Sequence, residues 1–163
     1  MTIGIDHIFQ ELYKHDIRYL LTGGLAVNLY GVNRMTADID LILDLTKENI
    51  KKFHSVIRKI NFIPLLPLPF ELLADKIERL KIIEEKNLVA YSFYNKTKKF
   101  LNIDVIIDIP KSFSELWENR IVKTTDDYQI NLIGFDDLIL LKEYANRVQD
   151  KNDILLLKSA NKK

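Results

Sequence analysis

The sequence predicts a compact α+β (α/β) domain, and three observations carry that expectation. Segments with apolar residues at helical spacing alternate with short, solidly apolar runs that suit buried strands. The 163 residues, 47% of them hydrophobic, fit one core and are too few for two independent ones. The whole chain, 1–163, therefore reads as one domain with a helical C-terminal part at about 135–160. There is no cysteine. That excludes zinc fingers, iron–sulfur clusters and thiol nucleophiles, and a core of this size needs neither disulfide nor structural metal.

Taken in order, residues 3–15 place Ile5, Ile8, Phe9 and Leu12 at helical spacing and predict an opening helix. Arg18 to Thr22 is short, apolar and followed at once by Gly23-Gly24, which reads as a buried strand leading into a helix over 25–30 that Gly31 stops. Asp38 to Leu43 alternates and then turns solidly apolar, a second buried strand. Thr46 is the expected cap of a helix over 47–60, with Ile50, Phe53, Ile57 and Ile60 on one face and basic residues mostly on the other. Three of the four prolines fall in 63–70, a stiff connector that cannot be helix or a central strand. Residues 71–86 predict a further helix. Leu88–Tyr94 and Phe100–Ile109 predict a hairpin around the polar stretch 95–99. Pro110 ends it, and Ser112 or Ser114 caps a short helix to about Glu118. Ile121 to Ile133 is extended and polar in its middle. Asp136 is the expected cap of a helix over 137–148, with a final helix over 151–159 and a lysine-tipped tail, Asn161–Lys163, that frays.

A net charge of +1 argues against a protein whose main business is coating nucleic acid. The first ten residues read as neither a signal nor a transit peptide, and no apolar run is long enough to cross a bilayer. The expectation is a cytoplasmic protein with no membrane contact.

Three of the five glycines, at 23, 24 and 31, lie just ahead of two aspartates at alternate positions. A strand that ends in Gly-Gly and runs into a helix exposes backbone N–H groups at the helix's positive end, with no Cβ to block a close ligand; that is a phosphate seat. Asp38 and Asp40, two apart on a predicted strand, project from one face. Dry carboxylates in such a pair repel one another unless a cation sits between them. Oxygen ligands beside a phosphate seat suit Mg²⁺ shared with a nucleotide. Asp104, with apolar neighbours on both sides, would complete a two-metal site. Asp108 is its rival, four residues on and on the same face of a regular strand. Asp104 sits deeper in the apolar run, whereas Asp108 precedes Pro110 by two residues and suits the end of the strand.

Gly23-Gly24, thirteen intervening residues, Asp38-Ile39-Asp40 and the later Asp104 resemble the DNA-polymerase-β-type nucleotidyltransferase superfamily. The finer string Gly23 to Gly31, Arg34, Thr36 and Asp38-Ile-Asp-Leu-Ile is similar to the branch that includes nucleotidyltransferase toxins of abortive-infection and toxin–antitoxin systems. So is Leu141-Lys-Glu-Tyr-Ala-Asn-Arg147 followed by Asp150 and Asp153, although Gln149 stands where that branch has a basic residue and Ile154 where it has Leu. The resemblance covers roughly residues 17–44 and 100–157. It implies a mixed β-sheet with helices packed on it, plus C-terminal helices. It implies transfer of a nucleoside monophosphate from an NTP (ATP or GTP) to a hydroxyl of an RNA, a protein or a small molecule, in a toxin-like role. Carried over residue by residue, Gly23 and Gly24 hold the phosphates, and Asp38 and Asp40 bind two Mg²⁺ ions. Asp104 binds the catalytic metal and activates the hydroxyl, while Arg34 and Lys142 neutralise the triphosphate. In-line attack on phosphorus needs positioning and charge neutralisation above all, which such groups can supply.

The alternative is a non-catalytic module on the same fold that binds a nucleotide or a partner. The short chain leaves little room for an acceptor-binding domain, which favours a homo-oligomer or an antitoxin-like partner protein. Asp150 and Asp153 read as a helix cap and a partner for Arg147 or Lys151. His7, His15 and His54 lack a second ligand at metal spacing, and Trp117 with Phe113 reads as a core anchor. Lys96, Lys98 and Lys99 lie on a hairpin tip where an RNA backbone could be touched.

Overall fold

The computed structural model describes residues 4–162; Ile3, in the expected opening helix, and the terminal Lys163 lie outside them. The elements are α1 (Ile5–Lys14), β1 (Tyr19–Thr22), α2 (Gly23–Leu29), β2 (Ile39–Leu43), α3 (Lys47–Lys59), β3 (Phe62–Pro64), a 3-10 turn (Phe70–Ala74) and α4 (Lys76–Lys86). They continue with β4 (Ala90–Asn95), β5 (Asn102–Ile106), α5 (Phe113–Glu118), β6 (Ile121–Thr124), β7 (Gln129–Leu132), α6 (Phe135–Ala145) and α7 (Val148–Ala160). The strands form one mixed sheet in the order β3-β4-β5-β2-β1-β7-β6. β2 runs parallel to β5 and β1 parallel to β7; the other neighbours are antiparallel.

Burial along the strands explains where a cleft can open. All four residues of β1 and all but Asp40 of β2 are buried, so the middle of the sheet is covered on both faces. In β4 and β5 burial alternates strictly, so only one face is packed. That packed face carries Tyr91, Phe93, Ile103 and Val105. Phe70 stands 5.0 Å from both Tyr91 and Phe93, with Phe53 of α3 beside it. The opposite face, with Ser92, Asp104 and Ile106, is the floor of a cleft roofed by α6 and the start of α7.

Local chemistry moved several boundaries. The helix expected over 71–86 is split because Asp75 accepts from the N–H groups of Ile77 and Glu78, at 2.8 and 3.0 Å, and restarts the chain as α4. The proline connector includes β3, a sheet-edge strand, as its missing N–H groups require. The extended stretch 121–133 folds into a hairpin, its turn held by the Thr125 hydroxyl, which accepts from the N–H groups of Asp127 and Tyr128. Gly134, not Asp136, is the cap of α6, and α7 begins at Val148, three residues earlier than its apolar spacing predicts. There Asp150 reaches back to the Arg147 N–H at 3.2 Å. Thr46 and Ser112 cap as expected, Ser112 within a full capping box. Trp117 stacks on Phe113 at 5.4 Å and lies beneath the guanidinium groups of Arg18 and Arg120.

Candidate active site

Register builds the site. Thr22 at the end of β1 pairs with Asp40 of β2, Asp40 with Asp104 of β5, and Asp104 with Ser92 of β4. Directly paired residues share a face, so four polar side chains form one row across four adjacent strands, about 4.8 Å from strand to strand. Asp38 precedes β2 by one residue and is drawn sideways, its Oδ1 accepting from Asn102 Nδ2 at 3.1 Å.

The row is electrostatically uncomfortable. Burial, with the charge of Asp104 and that of Asp38, pushes the Asp40 carboxyl up to about 6, against a Gly24 N–H and the more distant Arg147, which favour its charge. Asp104 is raised by burial and by Asp38, with the Ser92 hydroxyl acting the other way. Among the described residues no lysine or arginine makes an ion pair with Asp38, Asp40 or Asp104. Asp40 and Asp104 thus stand side by side with Asp38 at the margin. No group of three or more His, Asp or Glu side chains among the described residues closes into a ready metal cage.

The glycines serve this wall. Gly23 has φ +63°, and a Cβ there would collide with the Asp40 carboxylate. A Cβ on Gly24 would lie 2.6 Å from Thr36 Oγ1. α2 begins at Gly23 itself, and the Gly24 N–H, expected to face a phosphate, is given to Asp40.

Arg34 and Lys142 both turn to Asp153. Arg34 Nη1 lies 2.6 Å and Lys142 Nζ 2.7 Å from Asp153 Oδ2, and Lys142 also lies 3.4 Å from Asp150. Lys142 is 5% exposed and Asp153 0%. Gln149, at the position where the similar branch is basic, donates to Asp153 Oδ1 at 3.0 Å. Arg147 binds Asp150 Oδ2 at 2.7 Å yet keeps 76% of its side chain exposed, and its pKa is raised first by Asp150 and further by Asp40. Arg147 lines the cleft and Arg34 does not. Arg147 was legible only as part of a motif, because its approach to Asp40 comes from the way α7 docks. Ser92 and Asn102 were missed for the same reason: only strand register puts them beside the acids.

The cleft encloses about 740 Å³. Asp40, Asp104, Lys142, Arg147 and Asp150 line one part of it, and Val89, Ala90, Ile106, Leu138, Leu141 and Ala145 the other, with Asp108 and Tyr144 beside them. Asp108 lies two residues past the end of β5, where the N–H groups of Ile107 and Asp108 both donate to the Val89 carbonyl. It is roughly 13 Å along the chain from Asp104 at strand rise, and Tyr144 Oη donates to it at 2.9 Å.

A mixed sheet with an acid pair at the start of one strand, a third acid in register on its parallel neighbour and Gly-Gly beneath fits a nucleotidyltransferase-type protein. The chain belongs to the family described as nucleotidyltransferase of unknown function (DUF6036), whose model matches residues 3–159. It shares its fold with lincosamide antibiotic adenylyltransferase LnuA in its lincomycin-bound form, at a TM-score of 0.59 and 18% identity over 98% of this chain and 99% of that one. It is also similar to ANT(2")-Ia in complex with adenylyl-2"-tobramycin, at a TM-score of 0.59 and 11% identity over 96% of this chain and 86% of that one. No curated protein matches it in sequence. No helix of the described residues is long and apolar enough to cross a membrane.

Proposed function

We propose that this nucleotidyltransferase moves a nucleoside monophosphate from a magnesium-bound NTP to a hydroxyl of an RNA, protein or small-molecule acceptor, with Asp38, Asp40 and Asp104 as the metal-binding acids. The observation that carries it is the Asp40–Asp104 pair: adjacent in register, both raised in pKa, facing a cleft and with no ion pair among the described residues. A half-buried acid pair of this kind fits a hard divalent ion, because such an ion offsets both the burial and the repulsion that lift the pKa. Bound there, Mg²⁺ would neutralise the triphosphate and acidify the attacking hydroxyl.

The chain's own groups divide the rest of the work. Asp104, steadied by Ser92, accepts the proton of the hydroxyl. The new bond forms between that oxygen and the α-phosphorus as the bridge to the β-phosphate breaks and pyrophosphate leaves. Arg147 and Lys142 face the leaving phosphates from the α6–α7 side, while Arg34 acts one step removed, by holding Asp153. Gly23 and Gly24 keep the floor low enough for Asp40 to lie against it. The two structural neighbours are named for adenylyl transfer or hold an adenylylated product, which supports ATP as the donor.

The test is transfer of label from α-labelled ATP or GTP with Mg²⁺, offered small RNA, a protein extract and hydroxylated small molecules. Labelled product that needs Mg²⁺ and falls about 10²- to 10³-fold in Asp104→Asn is the expected result. Nucleotide binding with no label moved to any acceptor would leave the binding-module alternative in its place.

A further inference from the structure

The cleft holds one acid that nucleotidyl transfer does not use. Asp108 lies on the same wall as Asp104 but well beyond the reach of an ion held by Asp40 and Asp104, and no ion pair reaches it among the described residues. Its surroundings differ from the polar row. Ile106 and Ala90 lie on the sheet side and Leu141 and Ala145 on α6, with Val89 60% exposed and the ring of Tyr144 at the mouth. The hydroxyl of Tyr144 occupies one carboxylate oxygen and leaves the second for a ligand.

From this we infer that the acceptor is a small, hydroxylated, cationic molecule with an apolar body, bound with its ammonium at Asp108 and its carbon skeleton between Ile106, Leu141 and Tyr144. The inference rests on the nucleotidyl-transfer reading of the same site and names its second substrate class. At the Asp108 end, away from the Lys142 and Arg147 side that the NTP is proposed to use, charge disfavours a polyanionic acceptor. Four carboxylates line the cleft against two cations, and both of those cations are engaged by Asp150, with Lys142 also on Asp153. A nucleic acid threading this end would set phosphates against Asp108 with no basic group to receive them. Size agrees: about 740 Å³ must hold a nucleoside triphosphate and the acceptor together, within the range of small-molecule pockets. An ammonium beside an aromatic ring and a carboxylate gains from both.

The experiment uses the full chain and three probes: lincomycin, a monoamine with an apolar arm; tobramycin, a polyamine with none; and total small RNA. Binding is measured by calorimetry without nucleotide, so it does not depend on turnover. Lincomycin should bind the wild type more tightly than tobramycin and weaken about tenfold or more in Asp108→Asn, with the melting temperature of the variant within a few degrees of the parent. Tyr144→Phe, which frees the oxygen that the Tyr144 hydroxyl occupies, should bind as well as the wild type or better. Neither amine binding the wild type, or equal binding by Asp108→Asn, overturns the inference. So does labelling of RNA in the transfer assay, which would return the acceptor to the toxin-like class while leaving nucleotidyl transfer intact. Failure of transfer with Asp108-dependent amine binding would instead remove the activity and keep the site.

Discussion

Two pairs of aspartates, one on the sheet and one on α7, behave in opposite ways. On the sheet, Asp40 is raised by burial and by the charges of Asp104 and Asp38, and Asp104 by burial and by Asp38. On α7, burial also opposes the charges of Asp150 and Asp153, yet both are held below the usual range: Arg147 and Lys142 act on Asp150, and Lys142, Gln149 and Arg34 on Asp153. Residue type is the same, and the α7 pair is the more deeply buried of the two; what sets them apart is their partners. A buried carboxylate with cations and hydrogen bonds in place is structural, because removing it leaves those cations stranded. One without them is poised for a ligand that brings the missing positive charge. The proposed chemistry is therefore assigned to the strained pair, whereas the satisfied pair fastens α6 and α7 to the loop that carries Arg34.

The sharpest way to break this contrast is to neutralise one member of each pair. Asp40→Asn should abolish most transfer, about 10³-fold, while leaving the urea midpoint unchanged or higher, since it removes a repulsion. Asp153→Ala should instead cost about 3–5 kcal/mol in urea unfolding, because Lys142 is left buried with Asp150 alone and Arg34 loses its partner. If the two substitutions have the same stability effect, the division between strained and satisfied acids is wrong.

Acid titration sharpens it next. Asp40 binds its proton more tightly folded, at about 6, than unfolded, near 3.9. Its contribution to stability is therefore full below about 4 and lost as pH rises through 6, worth at most about 3 kcal/mol. Asp150 and Asp153 have the opposite sign: their stabilisation is present above about 4 and lost as pH falls through their lowered values. The urea midpoint should rise from pH 7.5 to about 5 and fall again below about 3.5, with the first limb flattened in Asp40→Asn.

The smallest effect concerns Gln149. Gln149→Lys restores the basic residue of the similar branch, but Asp153 already has Lys142 and Arg34. A third cation should change the unfolding free energy by no more than about 0.5 kcal/mol. A larger gain would mean that Asp153 is less well satisfied than its geometry indicates.

Much of this was legible in the chain itself. Strand, Gly-Gly, helix, Asp-x-Asp strand is a local pattern: β1, α2 and β2 follow one another within 25 residues, and their burial is written in unbroken apolar runs that alternate only at Asp40. The hairpin and the caps at Thr46 and Ser112 were local too, and so were readable. The split at Asp75 was missed because one side chain outweighed sixteen residues of helical spacing. The role of the glycines was half read. Their need for space was right, but what fills that space is Asp40 of β2 and Thr36 of the loop before it.

What the amino-acid order determined by itself was the identity of the elements and the acids they carry, since propensity, capping and periodicity act between near neighbours. Which acids stand together, which cations they meet and which end of the cleft is apolar were decided only by the tertiary structure. Asp40 meets Asp104 across 64 residues of chain through strand register, and Arg34 meets Asp153 across 119 through the docking of α7. Coulomb energy and desolvation depend on distance in space and on what surrounds a charge, and neither quantity exists until the chain has folded.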